Sequence, residues 1–276
     1  ANNYLIIPLR IEGLCLDHPK QVASPLADFS KLPWSSGTED FNFNQPYVSN
    51  GTLREPFEEP GLILDKGIHL HFIIPHFLGQ AIPNLQGLAN GGDIPAAPNR
   101  WLVSINNNGT TSQYVIESDY VHEANPGDNS SCMIPSKFGK PYGFMGRKTL
   151  LSDNRSAEMD FKSFTGHPLT VVGYGDVNFS SFYPNCLGAF GFHDHNGTAN
   201  DTTYQVLGWN ESADDDILSQ YIQQLLSNAT AHGTTLKLDD LQEEIQRAFN
   251  VNIGGTALPP ASVRTLFYGE FTADSA

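Results

Sequence analysis

The chain has 276 residues, of which 39% are hydrophobic and only 16% charged, and its formal net charge is −15. That length allows one large domain or two small ones, and the surplus of acid repels phosphate backbones and anionic lipid headgroups, which argues against nucleic acid as partner. No run reaches the ~18–20 apolar residues that a membrane span needs.

The first predicted element is a strand over 4–11. Its apolar part, Tyr4-Leu5-Ile6-Ile7-Pro8, is short and is followed by Arg10, not by the small-residue cleavage site of a signal peptide. This reading implies synthesis in the cytoplasm, with an extracellular destination left open. Cys15, Cys132 and Cys186 are odd in number and far apart, with no Cys-x-x-Cys. They do not form a disulfide framework, which favours a reducing compartment. Nine Asn-x-Ser/Thr sequons, at Asn50, Asn108, Asn129, Asn154, Asn178, Asn196, Asn200, Asn210 and Asn228, read as the product of an Asn-, Ser- and Thr-rich composition. In a secretory host they would be glycan acceptors.

Two long stretches, 33–60 and 78–98, have little periodicity and read as loops of the kind that carry function or a partner contact. Between them lies a strand over 68–74, within Gly67-Ile68-His69-Leu70-His71-Phe72-Ile73-Ile74-Pro75-His76. Strand alternation sends His69 and His71 to one face and Ile68, Leu70, Phe72 and Ile74 to the other. Strands are expected at 100–105, 113–117, 169–174, 187–193 and 204–209, each bounded by Gly, Pro or Asn. Trp101 opens an apolar run with Leu102 and Val103 and is expected in the core. The His-x-His spacing returns at Gly191-Phe192-His193-Asp194-His195. If the two pairs converge, His69, His71, His193 and His195 would hold a divalent transition metal, with His76 or Asp194 as a further ligand. Otherwise the imidazoles are hydrogen-bonded members of a half-buried sheet.

The character changes near 212. Ser212 before Asp214, Asp215 and Asp216 is expected to cap a helix carrying Ile217, Leu218, Tyr221, Ile222, Leu225 and Leu226 as one apolar stripe, ended by Gly233. A second helix is expected to begin near Asp239, with Gln242 closing a capping box and Leu241, Ile245, Ala248 and Phe249 as its buried face. A final strand covers 262–271. The fold class is therefore α+β: a single β-rich domain over 1–276, with long loops and a helical subregion at about 212–250 packed on a sheet.

Catalytic signatures are sparse. The sequence has no Gly-x-Ser-x-Gly elbow, no P-loop and no dinucleotide fingerprint. Pro60-Gly61-Leu62-Ile63-Leu64-Asp65 before His69 superficially resembles the first strand of metal-dependent amidohydrolases. However, two extra residues separate Asp65 from His69. The cupin pattern needs a Glu soon after its His-x-His, and 72–77 offers none.

Three segments carry a resemblance: Gly67-Ile68-His69-Leu70-His71-Phe72 with Pro75; Pro98-Asn99-Arg100-Trp101-Leu102-Val103; and Tyr204-Gln205-Val206-Leu207-Gly208-Trp209 leading to Ala213-Asp214-Asp215-Asp216. In this order, over about 60–270, they resemble the N-terminal region of large uncharacterised bacterial proteins. There the first motif reads Gly-Val-His-Leu-His-Trp-x-x-Pro-Asp; here Phe72 stands for the Trp and His76 for the Asp. The resemblance implies one module of a longer architecture and brings no catalytic residue with it. The chain is thus expected to be a non-enzymatic structural or assembly module that docks on other proteins, on other domains of a longer chain, or on itself. The rival readings are a metal-dependent, hydrolase-like enzyme built on the histidine pairs and a carbohydrate-binding module stacking sugars on Trp34, Trp101 and Trp209.

Overall fold

The structure, a computed structural model, describes residues 4–22, 62–80, 95–123, 142–153, 168–173, 175–176, 190–198, 202–260 and 262–273. Cys132, Cys186, Trp34, the loop at 33–60 and the sequons at Asn50, Asn129, Asn154, Asn178 and Asn200 lie outside them.

Alternating apolar residues build the main sheet. Its strands are β1 (Tyr4–Pro8), β6 (Arg100–Asn107), β7 (Thr110–Glu123), β8 (Tyr142–Leu150), β12 (Thr202–Trp209) and β13 (Arg264–Ala273). They lie in the order β1-β13-β12-β6-β7-β8. Pairing is antiparallel except between β1 and β13, which run parallel. A second sheet has three strands, β2 (Arg10–Leu16), β5 (Gly67–Ile73) and β11 (Gly191–Asp194), in the order β11-β5-β2. Two short pairs, β3 (Lys20–Val22) with β4 (Leu62–Leu64) and β9 (Val172–Gly173) with β10 (Gly175–Asp176), are peripheral.

The expected strand over 4–11 is two strands in two sheets. Pro8 cannot donate to a ladder, and at Leu9 the chain crosses from the large sheet to the small one. Leu9 N still donates to Tyr268 O at 2.7 Å. A Cβ on Gly269 would lie 2.2 Å from Leu9 O, so only glycine permits this crossing. The strand expected at 113–117 runs on to Glu123, and β8 has no counterpart among the expected elements.

The core lies between the sheets. Ile68, Leu70, Phe72 and Phe192 of the small sheet meet Trp101, Val103, Tyr204 and Val206 of the large one, all fully or almost fully buried. Phe72 lies 5.0 Å from Trp101 between ring centroids, and Phe192 lies 5.2 Å from Tyr114. Trp101 is core, as its run suggested, and its Nε1–H donates to Ser118 Oγ at 2.9 Å. A fully buried indole offers no face to a sugar.

Beyond the small sheet the same inner face is covered by α1 (Ile217–Ala231) and α2 (Leu238–Phe249), through Leu218, Ile222, Leu241, Ile245 and Phe249. Both helix caps differ from expectation. Ser212 caps only a 3-10 turn over Ala213–Asp215, accepting from Asp214 N at 3.2 Å. Asp216 caps α1, accepting from Ser219 N at 3.2 Å. Its other oxygen accepts from Thr265 N at 2.7 Å, so the cap also ties the helix to β13. Helix α2 begins at Leu238, and Asp240 reaches back to Lys237 N at 3.2 Å, in place of a Gln242 box. Gly233 follows α1 with φ 63°, the left-handed turn expected of it. No helix among the described residues is long and apolar enough to cross a membrane.

Candidate functional site

The antiparallel register of β5 and β11 places His69 directly across from His193, so the two His-x-His segments do meet. Their rings stack face to face, with centroids 3.9 Å apart and planes 11° from parallel. His195 joins them, its ring 4.0 Å from that of His193. His71 lies one row away, between Gly191 on β11 and Glu12 on β2. His76 opens a separate 3-10 turn, and Asp194 faces the core, where its carboxylate accepts from the Tyr204 hydroxyl at 2.9 Å.

Each stacked ring is tied to the turn that feeds β5. His69 Nε2 lies 2.9 Å from Asp65 O, and His193 Nε2 lies 3.0 Å from Lys66 O. A carbonyl only accepts, so both Nε2 atoms carry the proton, and in the neutral rings Nδ1 holds the lone pair. Gly67 makes room for this arrangement: with φ 123°, a Cβ there would meet Asp194 O at 2.2 Å and the His193 ring at 3.0 Å.

Burial lowers the pKa of His69, against the opposing pull of Asp65. Burial first, then the charges of His69, His195 and Lys148, lower His193 to about 4. Lys148 reaches over from β8 and donates to His193 O at 2.8 Å, with Nζ 4.8 Å from the Phe192 ring centroid. This partial loss of water lowers the Lys148 pKa, with Asp194 pulling the other way. His69 and His193 are therefore neutral imidazoles at pH 7, the protonation state a metal requires. A metal takes imidazole lone pairs in the ring plane, and two near-parallel stacked rings send theirs side by side. Among the described residues, no group of three or more His, Cys, Asp or Glu side chains is arranged to hold a metal ion.

A second polar constellation went unread in the sequence. Arg100, Glu117 and Arg147 stand directly opposite one another on β6, β7 and β8, all buried. Arg147 reaches Glu117 at 2.5 Å, and Arg100 Nε lies 3.8 Å from the same carboxylate. Arg100 also pairs with Asp119 and Glu211. Asn99 donates to Asp119 at 2.8 Å and accepts from Glu211 N at 2.8 Å. Burial raises the Asp119 pKa against the pull of Arg100, while its acidic neighbours hold Arg100 protonated in spite of its burial. The available signal was a charge inside each strand run: Arg100 before Trp-Leu-Val and Glu117 after Tyr-Val-Ile.

The outer face of the large sheet is divided. One row across all six strands reads Pro8, Tyr268, Leu207, Leu102, Val115 and Thr149, with Ile6 beside Leu266 in the adjoining row. The next rows are polar: Glu270, Gln205, Ser104 and Gln113, then Thr272, Thr203, Asn106 and Thr111. The apolar band is buried at Val115, half-buried at Leu102, Leu207, Leu266 and Tyr268, and open at Ile6, which is 59% exposed.

Compared with protein-family models, with curated proteins and with solved structures, the chain has no match in any of the three.

Proposed function

We propose that the protein is a non-enzymatic assembly module that docks on other proteins through the outer face of its large sheet near β1. The apolar band ending at Ile6 carries this reading. A contiguous apolar strip rimmed by polar rows is what an association surface looks like, and its exposure increases toward one edge of the sheet. The test is photo-crosslinking of the full chain in its own cells, with a benzophenone side chain at Leu266 or, on the polar rows of the same face, at Asn106. Discrete adducts of defined mass at Leu266 and none at Asn106 are the expected result. Equal or absent labelling at both positions would sink the reading.

A second reading, a metal-dependent enzyme, is favoured by the apposition of His69 and His193. On that reading the pair would hold a divalent transition metal through Nδ1 after one ring rotates. Elemental analysis should then find about one equivalent of metal, lost in His193→Ala and kept in His232→Ala. A metal content far below that level in all three proteins removes this reading.

A further inference from the structure

We propose that the protein is N-glycosylated, with sugars on Asn108, Asn196 and Asn228 and none on Asn210. The number of sequons supports modification as such. Among its 276 residues the chain has 22 asparagines, 21 serines and 16 threonines, and a random order of that composition yields about three Asn-x-Ser/Thr triplets. The chain has nine, and none has proline at the middle position. The Asn-, Ser- and Thr-rich composition therefore does not account for them, and use as glycan acceptors does. The scarcity of cysteine does not oppose a secretory route, because a chain of this length buries a core without disulfides.

Burial sorts the four described sequons. Asn108 is exposed at the tip of the β6–β7 hairpin, between Asn107 and Thr110, which pair directly. Asn108 and Gly109 have φ 48° and 84°, the left-handed pair of a tight two-residue turn. A Cβ on Gly109 would meet nothing within 4 Å, so the tip stands in open space. Asn196 is exposed in the turn after β11, where its N–H donates to the Asp194 carboxylate at 3.0 Å. Asn228 is exposed near the C-terminal end of α1. Asn210 differs. It is 5% exposed, and its Nδ2 donates to Asp215 O at 3.1 Å in the turn that precedes α1. A sugar is bulky and hydrophilic, and it cannot sit on that nitrogen without opening the turn.

The reaction is a group transfer. Nδ2 of the asparagine attacks C1 of the terminal sugar of a lipid-pyrophosphate-linked oligosaccharide. A C–N bond forms, the C1–O bond breaks with its electron pair on the pyrophosphate, and one Nδ2 proton passes to a base of the transferase. Nothing is oxidised or reduced.

Two of the three sites lie at one end of the large sheet. Asn108 follows Asn107, which pairs with Thr202 at the start of β12. Asn196 precedes Thr202 by six residues, and Gly197 packs against the Tyr204 side chain of the same strand. Along β6 the hairpin tip is six residues from Leu102, about 20 Å. Attachment there places the sugars away from the apolar band, so the inference is compatible with the docking reading and does not depend on it.

The test is enzymatic release of glycans from the protein purified from its own cells. Peptide-N-glycosidase in heavy-oxygen water turns each modified asparagine into an isotope-labelled aspartate, which peptide mass spectrometry locates. A parallel digest without the enzyme corrects for spontaneous deamidation at Asn108-Gly109 and Asn196-Gly197. We expect enzyme-dependent label at Asn108, Asn196 and Asn228 and an unlabelled Asn210. No enzyme-dependent label at the three exposed positions overturns the proposal, and label at Asn210 overturns the sorting by burial. Asn108→Gln changes an exposed side chain and should fold as wild type, losing one rung from the gel ladder of partial deglycosylation. A ladder of unchanged length overturns modification at the hairpin.

Discussion

Two rows of directly opposed polar side chains cross the sheets, and they solve burial in opposite ways. In the large sheet, Arg100, Glu117 and Arg147 alternate in sign from strand to strand, and Asp119 and Glu211 supply the remaining negative charge. In the small sheet, His69 and His193 face each other as like groups, and they stay neutral. The first row spends desolvation on charges and recovers it by pairing each one. The second avoids the cost by shedding its protons, and so holds only where the pH lets it. One row is permanent, the other conditional.

The sharpest way to break this contrast is to remove the shared centre of the charged row. Glu117→Ala should cost about 3–5 kcal/mol by leaving Arg100 and Arg147 with too little negative charge in a buried setting. Equilibrium urea unfolding measures it. A cost below about 1 kcal/mol would mean that water reaches the arginines and that the row is not truly buried. On the opposite face of β6, Trp101→Ala should cost a similar ~3–5 kcal/mol, but through a cavity. The two losses should nearly add if the faces are independent.

Acid should separate the rows. The folded pKa values of His69 and His193 lie below the unfolded value of 6.5, and that of His193 is about 4. The unfolded chain therefore binds more protons between these limits, and stability rises with pH there. The contribution is complete above 6.5 and is lost as pH falls from 6.5 toward about 4. Urea midpoints at pH 7 and at pH 5.5 should differ in wild type, with a smaller difference in His193→Asn. Equal pH slopes in the two proteins would remove the conditional row.

The smallest expected effects test the caps. Asp216→Ala should cost about 1–2 kcal/mol, since Asp216 satisfies Ser219 N at the start of α1 and Thr265 N on β13. Ser212→Ala should cost about 0.5 kcal/mol or less, because its acceptor serves only one exposed turn. The reverse order in thermal melts would return the cap to Ser212.

Reading these elements from sequence succeeded where a local period carries the information. The apolar stripe from Ile217 to Leu226 gave α1, and the β-branched run around His69 and His71 gave β5 with its faces assigned. Reading failed where the deciding contact is distant. Nothing local marks Leu9 as the crossing between sheets. The reason lies in Gly269, whose missing side chain lets Leu9 O approach. The cap moved from Ser212 to Asp216 because Asp216 gains a second partner on β13 that its own neighbourhood does not contain.

The sequence by itself determined composition, the periodicity of the strands and helices, and the pairing of His69 with His71 on one face. These follow from side-chain chemistry repeating at fixed backbone intervals. Only the tertiary structure decided that His193 sits across from His69, that Arg100, Glu117 and Arg147 share a row, and that β1 comes last in the large sheet among the described strands. Strand order and register arise from which apolar faces bury each other across long separations. That sum over the whole chain is not written in any one segment.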